Sequence, residues 1–132
     1  MLMGLGTDLC EIGRIRRAIE RPRFLERVYT DAERARIGSA PEARRGEIAA
    51  GLFAAKEAVA KALGTGIAGF GPAHIEVLPD GLGRPCCRLS GGALERANRL
   101  CPEGFRVWVS ITHEAGMAAA SAVLESAKED GE

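Results

Sequence analysis

The chain has 132 residues, 46% hydrophobic and 27% charged, an ordinary globular mixture of about one domain's size. Eighteen Lys+Arg stand against eighteen Asp+Glu, a formal net charge of zero, which argues against a protein that works on the nucleic-acid backbone. No apolar run reaches the ~18–20 residues of a membrane span, and Asp8 interrupts the opening before a signal-peptide core can form, so a cytoplasmic location without membrane insertion is expected.

Leu2 to Leu9 is short, apolar and punctuated by glycine, which predicts a strand that delivers Asp8 near its end. A helix is predicted from about Ile12 to Glu20, with Arg14, Arg17 and Arg21 on one face, because spacings of three and seven return to the same side. Pro22 interrupts that helix or starts the next turn. Phe24, Leu25 and Val28 follow at helical spacing, and Thr30-Asp31-Ala32-Glu33 has the form of a capping box. Pro41 to Leu63 is the clearest element: Ile48, Leu52, Ala55, Val59 and Leu63 form a helical stripe, Pro41 suits the first turn and Gly64 the position past the end. Gly46 and Gly51 weaken its interior by about 1 kcal/mol each relative to Ala, which suggests close packing there.

The second half changes character. Ile75 to Leu78 alternates like a strand, Asp80-Gly81-Leu82-Gly83 turns the chain, and Pro85 to Leu89 returns as a hairpin partner. Ser90 is placed to cap a helix reaching Leu100. Phe105, Val107, Val109 and Ile111 fall on one face of a strand, and Arg106, Trp108, Ser110 and Thr112 on the other. After a turn at Gly116, Met117 to Leu124 predicts a last antiparallel strand. The expected fold is α+β, one long helix packed on a largely antiparallel sheet, with residues 1–125 as one domain and the polar tail 126–132 disordered. Cys10, Cys86, Cys87 and Cys101 contain no Cys-x-x-Cys pair and read as free thiols of a reducing compartment. Two histidines, His74 and His113, are too few for a histidine-rich metal site.

Three segments can carry chemistry: residues 4–12, 53–66 and 109–114. Each has a plain structural reading: Asp8 and Glu11 as charges near a helix N-terminus, Glu57 and Lys61 as an i,i+4 surface pair, His113 as a strand-end residue. In combination they suggest more. Two carboxylates from separate elements, Asp8 and Glu57, are the ordinary protein contribution to a Mg²⁺ site completed by phosphates and water. Lys61 one turn along would neutralise phosphate charge, and Gly64-Thr65-Gly66 would let a ligand approach backbone amides. The constellation points to Mg²⁺-dependent handling of a phosphate ester or diphosphate.

The same segments, Gly4-Leu5-Gly6-Thr7-Asp8-Leu9-Cys10-Glu11, Ala54 to Gly66 and Val109 to His113, resemble the three motifs of the small holo-acyl-carrier-protein synthases, the short class of 4′-phosphopantetheinyl transferases. The similarity runs from about Met3 to Glu125 and implies that family's fold, with transfer of 4′-phosphopantetheine from coenzyme A to a serine of an apo-acyl carrier protein in fatty-acid or polyketide synthesis. The released product would be adenosine 3′,5′-bisphosphate. By match to the motifs, Asp8 and Glu57 would coordinate Mg²⁺, Lys61 would contact the diphosphate, Gly64, Thr65, Gly66 and His113 would line the coenzyme pocket, and Arg44 would meet the 3′-phosphate. The serine proton would go to a metal-bound water or to Asp8 or Glu57. Arg14, Arg17 and Arg21 would dock the acidic carrier protein, where the residues alone suggest a solvated basic helix. The resemblance further implies a homotrimer with the coenzyme between neighbouring subunits. Leu52 departs from the family, which often has a basic residue there; one phosphate or interface contact would be missing, or supplied by Arg44 or Arg45. Two rivals use the same residues: a hydrolase of coenzyme-A-like diphosphates, and a binding module without turnover.

Overall fold

The structure, a computed structural model, describes residues 1–66 and 70–129. In chain order the elements are β1 (Leu2–Glu11), α1 (Ile12–Ala18), α2 (Pro22–Val28), α3 (Asp31–Ser39), α4 (Glu42–Ala62), a 3₁₀ turn (Pro72–His74), β2 (Ile75–Pro79), β3 (Pro85–Leu89), α5 (Gly91–Leu100), β4 (Phe105–Glu114) and β5 (Met117–Ser126). The fold is α+β and its strand pairs are all antiparallel, as expected.

The three long strands pair in the order β1-β5-β4, and β2 and β3 form a separate hairpin. Ala120 of β5 faces Asp8 on one side and Ile111 on the other, and Ala118 lies between Cys10 and His113. These residues share one face of the sheet, because directly paired residues of antiparallel strands point the same way. That face is covered by α4, whose interior is sealed by Ala49, Ala50, Ala54, Ala55, Ala58 and Val59. Small residues let the two layers meet backbone to backbone. A Cβ on Gly6 would overlap the Ala58 carbonyl, and one on Gly4 the Ala62 carbonyl. The opposite sheet face stays open, with Leu5 63%, Leu9 62% and Trp108 42% exposed.

Beneath α3 lies a buried polar knot. The predicted capping box is formed: Glu33 N donates to Thr30 Oγ1 and Thr30 N to Glu33 Oε1. The same Glu33 carboxylate accepts from Val77 N at 2.8 Å and pairs with Lys56 Nζ at 2.6 Å, both side chains being fully buried. Lys56 also donates to the carbonyls of Pro72 and Ile75. Every element around the knot is thereby tied to α4.

Several local expectations change. The first helix ends at Ala18, not Glu20, and Arg21 lies outside it in extended conformation (φ −94°, ψ 117°) as the N-cap residue of α2. Pro22 is the reason, since a following proline clashes with helical backbone at the residue before it. Arg14 and Arg17 therefore share α1, and Arg21 does not continue their face. Pro41 is the N-cap residue of α4 rather than part of its first turn. Ser90 precedes α5, but its side chain makes no capping bond; its hydroxyl reaches the His74 carbonyl instead. The last strand runs to Ser126, two residues past the expected strand end at Leu124, and the Ser126 N–H donates to the Met1 carbonyl. The rest of the expected tail lies partly outside the described residues.

Candidate active site

The acidic centre forms on the β1 flank of α4. Asp8 leaves β1 on the helix side of the sheet, and Lys61 Nζ sits 3.2 Å from Asp8 Oδ1 and 2.9 Å from the Thr7 carbonyl. The Gly6–Ala58 crossing sets this register, because it fixes how far β1 has advanced along α4 when Asp8 is reached. Glu57, one turn before Lys61, is half-buried. Burial pushes its carboxyl pKa up, the Asp8 charge pushes it further, and Lys61 and Arg14 oppose the rise. Asp8 and Glu57 thus share one electrostatic site although they lie 49 positions apart, 57 less 8.

Arg14 belongs to that site as well as to the surface. It is exposed on α1, and its charge acts on both Glu57 and Cys10. Cys10 stays a buried thiol: burial and the Asp8 charge raise its pKa, and its Sγ lies 3.5 Å from the Ala50 carbonyl. Arg17 is exposed on the same helix. Arg21 borders a basic surface with Arg23 and Arg27 around Phe24.

Gly64-Thr65-Gly66 directly follows α4. Gly64 and Gly66 hold positive φ of 84° and 61°, conformations that suit glycine. Their N–H groups donate to Lys61 O at 2.9 Å and Ala60 O at 3.2 Å, so they close the helix rather than point at a ligand. Arg96 Nε adds a third bond, to Leu63 O at 2.9 Å. This narrows the amide-cradle expectation: the segment terminates α4 beside Lys61, and the amides of both glycines are engaged there.

Arg44 and His113 lie elsewhere, in a cleft of about 260 Å³ on the β4 flank. Glu47 joins them, 3.0 Å from His113 Nδ1 and 3.8 Å from Arg44 Nε. The floor is apolar, with Ile48, Leu52 and Ile111, and Arg36 of α3 completes the wall. Between Arg44 and Lys61 a straight α4 spans about 25 Å at ~1.5 Å per residue. One chain therefore presents two half-sites, an acidic one at β1 and a basic one at β4, separated by β5 and the body of the helix.

Sequence reasoning missed Glu47 and Arg36, neither of which lies in a recognisable motif; only the tertiary cleft brings them to His113. Lys56, next to Glu57 in the chain, takes no part in the site: the structure buries it against Glu33. Arg45 is committed to the Gly38 and Ala40 carbonyls at 2.9 Å each, and is thus not the substitute for a basic residue at position 52. Leu52 itself is 1% exposed.

Asp8 and Glu57 fit a hard divalent cation. Both donors are oxygen, and burial together with the neighbouring Asp8 charge makes the Glu57 carboxylate costlier to hold than a free one, a cost that a divalent cation would offset. Among the described residues no cluster of three or more His, Cys, Asp or Glu is found; a Mg²⁺ ion held by two carboxylates would take waters and substrate phosphates as its other ligands. No helix among the described residues is long and apolar enough to cross a membrane.

Comparison with known proteins gives a consistent result. Residues 4–120 match the family model of the 4′-phosphopantetheinyl transferase superfamily. The chain is 48% identical over 131 residues to a holo-[acyl-carrier-protein] synthase of Methylobacterium radiotolerans, covering 96% of this chain and 95% of the relative. It is 50% identical over 129 residues to one of Solidesulfovibrio magneticus, covering 95% and 99%. The crystal structure of a holo-(acyl-carrier-protein) synthase from Bacillus anthracis in complex with CoA (3′,5′-ADP) superposes with a TM-score of 0.80 at 37% identity, covering 96% and 99% of the two chains.

Proposed function

We propose a specific reaction on the premise that this chain belongs to the 4′-phosphopantetheinyl transferase superfamily, as an enzyme of the holo-[acyl-carrier-protein] synthase type. It transfers 4′-phosphopantetheine from coenzyme A to a serine of apo-acyl carrier protein. The serine oxygen forms a bond to the phosphorus on the pantetheine side, the bridging P–O bond of the diphosphate breaks, and adenosine 3′,5′-bisphosphate leaves. The observation that carries this reading is the convergence of Asp8, Glu57 and Lys61 from two elements on one electrostatic site.

Asp8 and Glu57 would hold Mg²⁺, which when bound offsets the charge that builds on the diphosphate during transfer. Lys61 is half-exposed and already oriented by Asp8 and the Thr7 carbonyl, so its ammonium meets phosphate oxygens with little further ordering. The attacking hydroxyl is the carrier's. The enzyme's work is therefore to position and to neutralise charge. Arg14 and Arg17 on α1, with Arg21 beyond it, present a basic surface beside the acidic centre. That surface suits an acidic carrier, speeding encounter and orienting the serine towards Glu57 and Asp8.

The separation of the half-sites supports a homotrimer in which the acidic centre of one subunit meets the Arg44–His113 cleft of the next. The open sheet face, with Leu5, Leu9 and Trp108, supplies apolar surface for that contact. We place the enzyme in the cytoplasm, in fatty-acid or polyketide synthesis, in keeping with four free cysteines.

The test is intact-protein mass spectrometry of apo carrier protein after incubation with enzyme, coenzyme A and Mg²⁺. The expected result is one added phosphopantetheine, lost when the metal is chelated, with bisphosphate released in equal amount. Bisphosphate release without carrier would mark a hydrolase, and coenzyme binding without either product a module that lacks turnover.

A further inference from the structure

The cleft on the β4 flank has an unbalanced charge. Arg36, Arg44 and His113 line it, and its one lining carboxylate, Glu47, is taken up by His113 at 3.0 Å and Arg44 at 3.8 Å. Neighbouring arginines are satisfied: Arg34 donates to the Tyr29 carbonyl and pairs with Asp31, and Arg45 donates to Gly38 and Ala40. Arg36 is different. The residue is half-buried and lines the cleft wall, and its guanidinium has no hydrogen-bond or ion-pair partner among the described residues. A guanidinium drawn partly out of water without a partner loses solvation for no return until an anion enters.

The anion's chemistry follows from the walls. Two guanidiniums with planar forks, facing a space without a free carboxylate, suit a phosphate monoester dianion bound without metal. Ile48 and Ile111 offer the apolar floor that a nucleoside covers. A diphosphate belongs to the other half-site, where Asp8, Glu57 and Lys61 gather. Coenzyme A carries one phosphate outside its diphosphate, on the ribose.

We propose that Arg36 is the phosphate-recognition residue by which this cleft, which Arg44 also lines, grips the ribose 3′-phosphate of coenzyme A, and that it sets the preference for coenzyme A over its 3′-dephospho form. The proposal rests on the coenzyme-transfer reading and adds a residue from α3 that no motif contains. It also accounts for an apolar Leu52: the charge needed at the cleft enters from another element.

The experiment compares wild type with Arg36→Ala and Arg36→Lys, using coenzyme A and 3′-dephospho-coenzyme A as alternative donors. Arg36→Ala should raise KM for coenzyme A about 10–100-fold, the range of a charge-assisted hydrogen bond, with kcat within about twofold. KM for the dephospho donor should stay unchanged, and Arg36→Lys should recover part of the loss. Melting temperature should not move, since Arg36 holds no structural partner. An equal effect on both donors, or none on either, overturns the proposal. Calorimetric titration with adenosine 3′,5′-bisphosphate and adenosine 5′-monophosphate separates the failures, because it needs no turnover. A wild type that modifies no carrier sinks the transfer reading, yet the titration still reads Arg36. Tighter binding of the bisphosphate that disappears in Arg36→Ala upholds the proposal; equal binding of both nucleotides by wild type refutes it.

Discussion

Glu33 and Lys56 meet in an ion pair closed to solvent, Oε1 to Nζ 2.6 Å apart, that ties α3 to α4 and, through Val77 N and the Ile75 carbonyl, to β2. Lys56 directly precedes Glu57, yet the two do different work. Successive helix residues are about 100° apart around the axis, so Lys56 turns into the core and Glu57 to the β1 flank.

Lys56→Met should destabilise the protein by about 3–5 kcal/mol, because the Glu33 carboxylate is left buried and uncompensated. Urea unfolding measures it. Burial lowers the Lys56 pKa and Glu33 opposes that shift, so the loss should exceed that of any exposed lysine. A change below about 1 kcal/mol, the size of a surface pair, would mean that the pair contributes nothing.

Gly6→Ala should cost about 1–3 kcal/mol or more, since the new methyl overlaps the Ala58 carbonyl and β1 must move off α4. Transfer activity should fall with it, as the displaced strand carries Asp8 away from Lys61. Full activity in a stable Gly6→Ala protein would show that the crossing does not set the site's register.

Asp8→Ala and Glu57→Ala should each reduce transfer by about 10²-fold or more, with melting temperature nearly unchanged. Initial-rate assays with apo carrier protein measure this. Near-normal turnover in either variant would remove that carboxylate from the proposed Mg²⁺ site.

Glu57 also leaves a pH signature in metal-free protein. Its pKa is raised above the ordinary 4.5 in the folded state, so between 4.5 and that raised value the native chain binds more protons than the unfolded chain. Its contribution to stability is present in full below 4.5 and is lost as pH rises through the raised pKa. Glu57→Gln should therefore be more stable than wild type at pH 7, with the advantage vanishing at pH 4, as thermal melts in chelator will record. The same advantage at both pH values would point to packing, not titration.

Of the four cysteines, Cys86 alone is exposed, while burial pushes the Cys87 thiol up to about 12. Iodoacetamide at pH 8 should give one adduct per native chain, at Cys86, and four after denaturation. Rapid labelling of Cys87 in the native state would contradict its burial.

Much of the fold was legible in the sequence because local rules act within a few residues. The Thr30–Glu33 box, the Asp80–Gly83 hairpin turn, the alternation of β4 and the Ala-rich α4 all follow from propensity and spacing. Where two local rules competed, at Pro22, the reading ran a helix too far. The motif residues Asp8, Glu57 and Lys61 were found because strand, helix and spacing are read one at a time, and they converge in the structure. Glu47 and Arg36 left no trace, because the cleft that brings them to His113 is made by packing elements distant in the chain.

By itself, the sequence determined which groups are present, on what elements they ride, and hence the phosphate chemistry within reach. Only the tertiary structure decided how they are divided: Asp8, Glu57 and Lys61 on one flank of α4, Arg36, Arg44 and His113 on the other, and Lys56 sealed inside. The physical reason is that burial, charge coupling and desolvation depend on what packs against a side chain, and packing couples residues whose separation along the chain carries no such information.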